Sequence, residues 1–106
     1  MKEAFFVLGV RRGNVTYSEI ELDEDLLAKI PCADDQLILI GRADIDFSCN
    51  DLLYTNSGIP IQPVRFYMYG FEIDRIGHGC SCAILCKNAD VNFAFNEALY
   101  ISTNIK

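Results

Sequence analysis

The sequence predicts a mainly β domain with one short helix, folded as an antiparallel sandwich or barrel of about seven strands. Its 106 residues, 51% of them apolar, suit a single domain with one core over residues 1–106. Runs rich in β-branched and aromatic residues alternate with short turns, a pattern typical of antiparallel strands. Helical spacing of apolar residues is clear near residues 23–30.

The first two strands are predicted to form a hairpin. An apolar run over residues 4–11 and a mixed run over residues 15–22 flank the turn 11–14, where glycine and asparagine tolerate positive φ. The helix follows at once, with Asp23 as its N-cap and acids in its first turn, where they complement the helix dipole. Pro31 ends it.

Three longer strands should form the centre of the fold. Residues 37–49 pass from a continuous apolar run into strict alternation, and residues 64–73 are aromatic enough to be covered on both faces. After the turn at 77–79, residues 80–86 return as a strand. Residues 91–103 fit either a helix or a strand. We favour the strand because the alternation of the two sets of side chains along this segment has only one exception.

Negative charge is concentrated in one third of the chain. Residues 19–51 contain ten acids and two bases, a local balance of −8 within an overall charge of −6. Such a field repels nucleic acid and anionic membrane surfaces and favours a basic protein partner. Alternatively, these acids are the solvated faces of ordinary elements. The residues assigned to an acidic binding surface are Glu19, Glu21, Asp23, Glu24, Asp25, Asp44, Asp46 and Asp51.

Potentially reactive side chains cluster at His78, Cys80, Cys82 and Cys86. On a regular strand Cys82 and Cys86 would be about 13 Å apart, whereas sulfurs on one zinc ion are about 3.7 Å apart. We therefore expect small apolar thiols on the inner face of a strand, with no metal and no cofactor. A Cys–His nucleophile pair would lack a third, orienting residue, so no catalytic residue is predicted.

Arg65, Tyr67 and Tyr69 share one face of a predicted strand. Tyrosine and arginine are enriched at interface hot spots, so these three residues form a candidate aromatic patch for protein binding. The alternative is that they pack within the fold.

A cytoplasmic location is expected because the apolar stretch at residues 4–10 is too short for a signal peptide or a membrane span. No other stretch reaches the length of about 20 apolar residues that a spanning helix needs. In that compartment the five cysteines would stay free.

Three classes of function fit these observations. The first is a small acidic binding or inhibitor protein, not an enzyme, that docks on a basic protein surface, including one that otherwise holds nucleic acid. The second is a small-molecule-binding barrel or small enzyme with an aromatic cavity lined by Phe66, Met68, Phe93 and Phe95. The third is a structural domain that forms homodimers through an edge strand such as the N-terminal hairpin.

Overall fold

The computed structural model describes residues 2–12, 15–18, 24–87, 93 and 97–102, and these are mostly β-strand. The elements are β1 (Lys2–Arg12), β2 (Val15–Ser18), α1 (Glu24–Ala28), β3 (Gln36–Ala43), β4 (Phe47–Ser48), β5 (Leu53–Tyr54), β6 (Pro60–Ile61), β7 (Pro63–Met68), β8 (Phe71–Ile73), β9 (Arg75–Ile76), β10 (Ser81–Lys87) and β11 (Ala98–Ser102). The predicted mainly β fold with one short helix is confirmed.

One curled antiparallel sheet forms a half-barrel, with strand order β6-β5-β11-β1-β3-β10-β7-β8. β1 pairs with β11 along its first half and with β2 along its second half, while β3 pairs along its other side. β4 and β9 form a separate two-stranded ribbon. β3 and β10 therefore lie at the centre of the sheet, each with a neighbouring strand on both sides.

The concave face of the sheet holds the main core. Phe47 of the ribbon packs edge-to-face against Phe5 and Phe66, with ring centroids 6.0 and 5.3 Å apart. The ribbon thereby covers part of the inner face of the half-barrel. The buried side chains of this core include Phe5, Val7, Leu37, Leu39, Phe47, Leu53, Ile61, Phe66, Ile76, Ile84, Leu99 and Ile101.

The convex face carries a smaller core beneath α1. Leu27 and the following Ile30 pack on Ile38, Tyr67 and residues of β10. Arg11 fixes the position of the helix, since its Nη1 donates a hydrogen bond to the carbonyl of Leu27 at 3.1 Å. The helix lies within the predicted range 23–30, and the predicted cap, Asp23, lies outside the described residues.

Two of the predicted central strands are interrupted. β3 ends at Ala43, where the carbonyl accepts a hydrogen bond from the N–H of Gly79, and the chain then bends into the ribbon. Residues 64–73 form a hairpin, because Tyr69 and Gly70 have φ of 53° and 82°, the positive pair of a type I′ turn. The prediction of one continuous strand over residues 37–49, and of another over residues 64–73, is therefore wrong.

The other predicted strands are present. β1 and β2 pair as the expected hairpin, although the turn residues 13–14 lie outside the described part of the chain. β10 matches the predicted strand at residues 80–86, and β11 confirms the end of the last predicted strand. Of residues 91–97, only 93 and 97 are described. In the described ranges, no helix is long and apolar enough to cross a bilayer.

The bend in β1 depends on a close approach between two backbones. The pairing of β1 with β3 shifts register between Val7 and Gly9, which leaves one extra residue in β1. Opposite this bulge lies Gly41, where an added Cβ would be 1.9 Å from the carbonyl oxygen of Phe6. Any side chain at position 41 would therefore push the two central strands apart.

Replacing Gly41 by alanine is expected to lower the free energy of unfolding by about 3 kcal/mol or more, because paired backbone must move to admit the methyl group. Gly58→Ala is the matched control, since Gly58 has φ of 84° but nothing within 4 Å of an added Cβ. In Gly58→Ala, only the left-handed backbone conformation should lower the free energy of unfolding, by about 1 kcal/mol. Urea unfolding measures both variants, and equal losses would contradict the close approach.

Candidate functional site

The structure places the acidic residues of the candidate binding surface in different settings. Glu24 and Asp25 are exposed in the first turn of α1, and Asp44 and Asp46 are exposed just after β3. Asp51 is half-buried. The three remaining members, Glu19, Glu21 and Asp23, lie outside the described residues.

Two of these carboxylates hold loops in place. Oδ1 of Asp46 accepts a hydrogen bond from the backbone N–H of His78 at 2.5 Å, across two segments distant in sequence. Oδ2 of Asp51 accepts one from the N–H of Ser48 at 2.9 Å. Both residues therefore have a structural role besides their charge, which composition alone could not reveal.

The acidic segment is divided between the two ends of β3. Asp34 and Asp35 form the exposed turn before this strand, and Asp44 and Asp46 follow it. A strand rises about 3.3 Å per residue, so the eight residues of β3 separate the two groups by about 25 Å. The acids at the two ends of β3 thus form two separate groups rather than one continuous patch.

The predicted aromatic patch is not continuous on the surface. Tyr67 is only 5% exposed because it packs beneath α1, whereas Tyr69 is 76% exposed at the turn of its hairpin. Arg65 is exposed and lies 3.8 Å from the carboxylate of Glu72 on the neighbouring strand. Of the three residues, Tyr69 is the one whose aromatic ring is exposed to solvent.

The cysteine cluster is spread along β10 and the loop before it. Cys82 and Cys86 lie four positions apart and face the main core, while Cys80 is half-buried and His78 is exposed. Burial raises the pKa of the Cys82 thiol to about 12, with the nearby Cys80 adding to the effect. Burial also raises the pKa of the Cys86 thiol. Both thiols stay protonated near neutral pH, the form in which a thiol is a poor nucleophile and a poor metal ligand.

Among the described residues, no group of three or more histidine, cysteine or acidic side chains is placed to hold a metal ion. All five cysteines are free. Cys49 lies close enough to the buried Cys86 to contribute to its raised pKa, and its own Sγ donates to the carbonyl of Val64 at 3.3 Å.

An apolar cleft opens on the convex face, at a place that sequence patterning does not indicate. Its volume is about 200 Å³. One wall is the helical segment with Leu26, Leu27 and Ile30, and the floor is Ile40 and Ala83. The opposite rim is the β7–β8 turn, where Tyr69 and Gly70 face the helix across the cleft.

Tyr69 adopts a backbone conformation that its residue type disfavours. It is the one non-glycine residue of the described chain with positive φ. Left-handed backbone costs a residue with a Cβ about 1 kcal/mol or more, and asparagine or glycine usually occupies this turn position. An exposed tyrosine recovers little of that cost by burial, so the fold itself does not explain why Tyr69 stands here.

The residues predicted to line an aromatic cavity lie elsewhere. Phe66 is fully buried and packs against Phe47, and Phe93 is partly buried against the same core. Met68 is half-buried and Phe95 lies outside the described residues. The cleft is on the opposite face of the sheet from Phe66, and neither Phe66 nor Met68 lines it.

Comparison of the chain with known protein families, with curated proteins and with solved structures finds no match.

The buried Cys82 should make the protein less stable in alkali. Below the ordinary thiol pKa of 9.0, folded and unfolded chains both hold this proton, whereas from pH 9 to about 12 only the folded chain keeps it. The free energy of unfolding should therefore fall as pH rises through that window, by about 1.4 kcal/mol per pH unit for one proton.

Urea unfolding at several pH values, from about pH 8 to about pH 11, measures this slope. Cys82→Ala, which keeps a small apolar side chain, should show a shallower slope than the unaltered protein over the same range. Identical slopes would mean that the Cys82 thiol ionises in the folded protein as readily as in the unfolded one.

Proposed function

We propose that this chain is a small acidic binding protein, of the inhibitor type and not an enzyme, that docks on a basic protein surface through residues 19–51. The observation that carries the proposal is the exposure of six acids in this segment, whose sequence has a local charge of −8. These six are Glu24, Asp25, Asp34, Asp35, Asp44 and Asp46. Such a charge attracts a basic partner and accelerates its association at moderate salt.

The arrangement of the acids suits a partner of ordinary interface size. A standard protein–protein interface buries about 800 Å² per partner, which corresponds to a patch about 30 Å across. The two acidic groups at the ends of β3 are about 25 Å apart, so one such interface spans both of them. A basic surface that otherwise holds nucleic acid has charges distributed over a similar distance.

Two properties of the cysteines support a non-enzymatic role in a reducing compartment. The thiol of Cys82, with its pKa raised to about 12, stays protonated near neutral pH and is a poor nucleophile. All five cysteines are free, which fits the cytoplasm, where thiols are kept reduced.

Binding of the partner should depend on salt and on acids at both ends of β3. A basic protein captured from a cell extract at about 0.1 M salt should be released at about 1 M salt, because exposed charges are then screened. Combining Asp35→Asn with Asp44→Asn should weaken binding about tenfold at low salt, mainly through slower association.

The control combines Glu72→Gln with Asp74→Asn, which changes the net charge from −6 to −4 just as the test variant does, but outside residues 19–51. It should change binding by no more than about twofold. Equal weakening by the two variants would show that net charge alone matters, and binding that survives about 1 M salt unchanged would exclude charge-led docking.

A further inference from the structure

We propose that the apolar cleft between α1 and the β7–β8 turn binds a small amphipathic carboxylate. The apolar body of this ligand enters the cleft, and its carboxylate meets the side chains of Lys29 and Arg42 at the rim. The ligand is a free small molecule whose apolar part is slightly larger than a benzene ring. The inference does not depend on the proposed function, because it needs no protein partner.

The size and lining of the cleft define the apolar part of the ligand. Its volume of about 200 Å³ is below the usual range of about 300–1,000 Å³ for drug-sized ligands. An apolar cavity of about 150 Å³ is enough to hold one benzene molecule. A single ring with a short aliphatic chain therefore fits the cleft. The apolar side chains that would enclose it are Leu26, Leu27, Ile30, Ile40 and Ala83.

The two bases of the acidic segment both lie beside this cleft. Residues 19–51 contain ten acids, and their two bases are Lys29 and Arg42. Cδ of Lys29 is 3.3 Å from the Cβ position of Gly70, a residue that lines the cleft. The ammonium group follows Cδ after one methylene, so it lies at the rim formed by the β7–β8 turn.

Arg42 lies at the end of the convex face that α1 leaves uncovered. It follows Ile40 by two positions in β3, so the two side chains share a face of the sheet. Its partner on β10 is Ser81, which lines the cleft together with Ile40. Nη2 of Arg42 is 3.7 Å from the Cβ position of Gly79, two residues before Ser81. The guanidinium is therefore placed beside the cleft and opposite no lining acid.

Neither cation is neutralised within the described part of the chain. Lys29 and Arg42 form no ion pair with a described carboxylate, and no acid is among the residues that line the cleft. Glu72 shares the convex face beside Tyr67, but it lies 3.8 Å from Arg65 and pairs with that residue. Both positive charges are thus available to an anion, and a planar guanidinium matches a carboxylate with two parallel hydrogen bonds.

Tyr69 adds an independent observation that points to a ligand. Its side chain is 76% exposed and its backbone φ is 53°, so the residue carries conformational strain without the benefit of burial. It lines the cleft at the rim opposite α1. An aromatic ring bound in the cleft would pack against the ring of Tyr69 and bury it, which would offset the strain.

Calorimetric titration with 3-phenylpropanoate tests the site. The unaltered protein should bind it saturably with Kd on the order of 0.1–1 mM, as expected for a ligand of about ten non-hydrogen atoms. The neutral 3-phenylpropanamide has the same shape and should bind about tenfold more weakly. Phenylacetate, which is one methylene shorter, should bind about fourfold more weakly. In ¹H–¹⁵N NMR spectra, the amides of Ile40, Gly70 and Ala83 should shift on saturation.

Charge variants test the contact with the carboxylate. Lys29→Gln and Arg42→Gln should each weaken binding of 3-phenylpropanoate about threefold, and the double variant about tenfold, so that carboxylate and amide then bind equally. Lys87→Gln is the matched control, since it removes the same charge from an exposed position about 20 Å along β10 from Ser81. It should change binding by no more than about 1.5-fold.

Variants of the cleft itself test the apolar contact. Ser81→Phe fills the cleft from an exposed strand position and should weaken binding of both carboxylate and amide about tenfold or more. Tyr69→Asn should weaken both about threefold. Phe71→Thr removes a ring that is also exposed but lies outside the lining of the cleft, and it should leave both affinities within about 1.5-fold. Circular dichroism confirms that each variant is folded.

Four results would overturn the proposal. The first is equal affinity of the unaltered protein for carboxylate and amide, and the second is binding that Ser81→Phe leaves unchanged. The third is equal weakening by Lys87→Gln and by the variants at Lys29 and Arg42. The last is no binding of 3-phenylpropanoate up to about 10 mM, ten times the weakest expected Kd. Salt-sensitive capture of a basic protein tests the proposed function separately, so either proposal can fail alone.

Discussion

The close approach of Gly41 to the backbone of Phe6 is the constraint on which the other features of this fold depend. It lets β1 carry a bulge and bend, so that β11 pairs with the first half of β1 and β2 with the second. The sheet curls around that bend and acquires a concave face filled by large apolar side chains and a convex face that receives α1. Both faces of the central strands are therefore covered.

The same arrangement explains where the exposed acids and the cleft lie. With β3 and β10 buried on both faces, acids of the segment 19–51 are found in the turns at the two ends of β3. The helix that covers the convex face has five residues, about 7 Å of length, against the roughly 25 Å of β3. It is too short to cover the whole face, and the cleft beside Tyr69 is the uncovered remainder.

Local patterns predicted much of this fold. Alternation and turn residues indicated the β1–β2 hairpin and β10, and Pro31 marked the end of the helix. The break after Ala43 was missed because Phe47 still points into the core, which preserves the alternation across the bend. The turn at Tyr69 was missed because tyrosine is uncommon at that turn position. The cleft could not be predicted, since its walls come from segments distant in sequence and depend on tertiary packing.

Amide hydrogen exchange followed by NMR tests the central claim most directly, namely that β3 and β10 form the rigid centre of the fold while the hairpin turn at Tyr69 forms an open rim. The amides within Ile38–Ile40 and Cys82–Leu85 should exchange only through global unfolding. Those of β8 and of Tyr69 should exchange faster by about a hundredfold or more. Similar rates in the two regions would contradict this account.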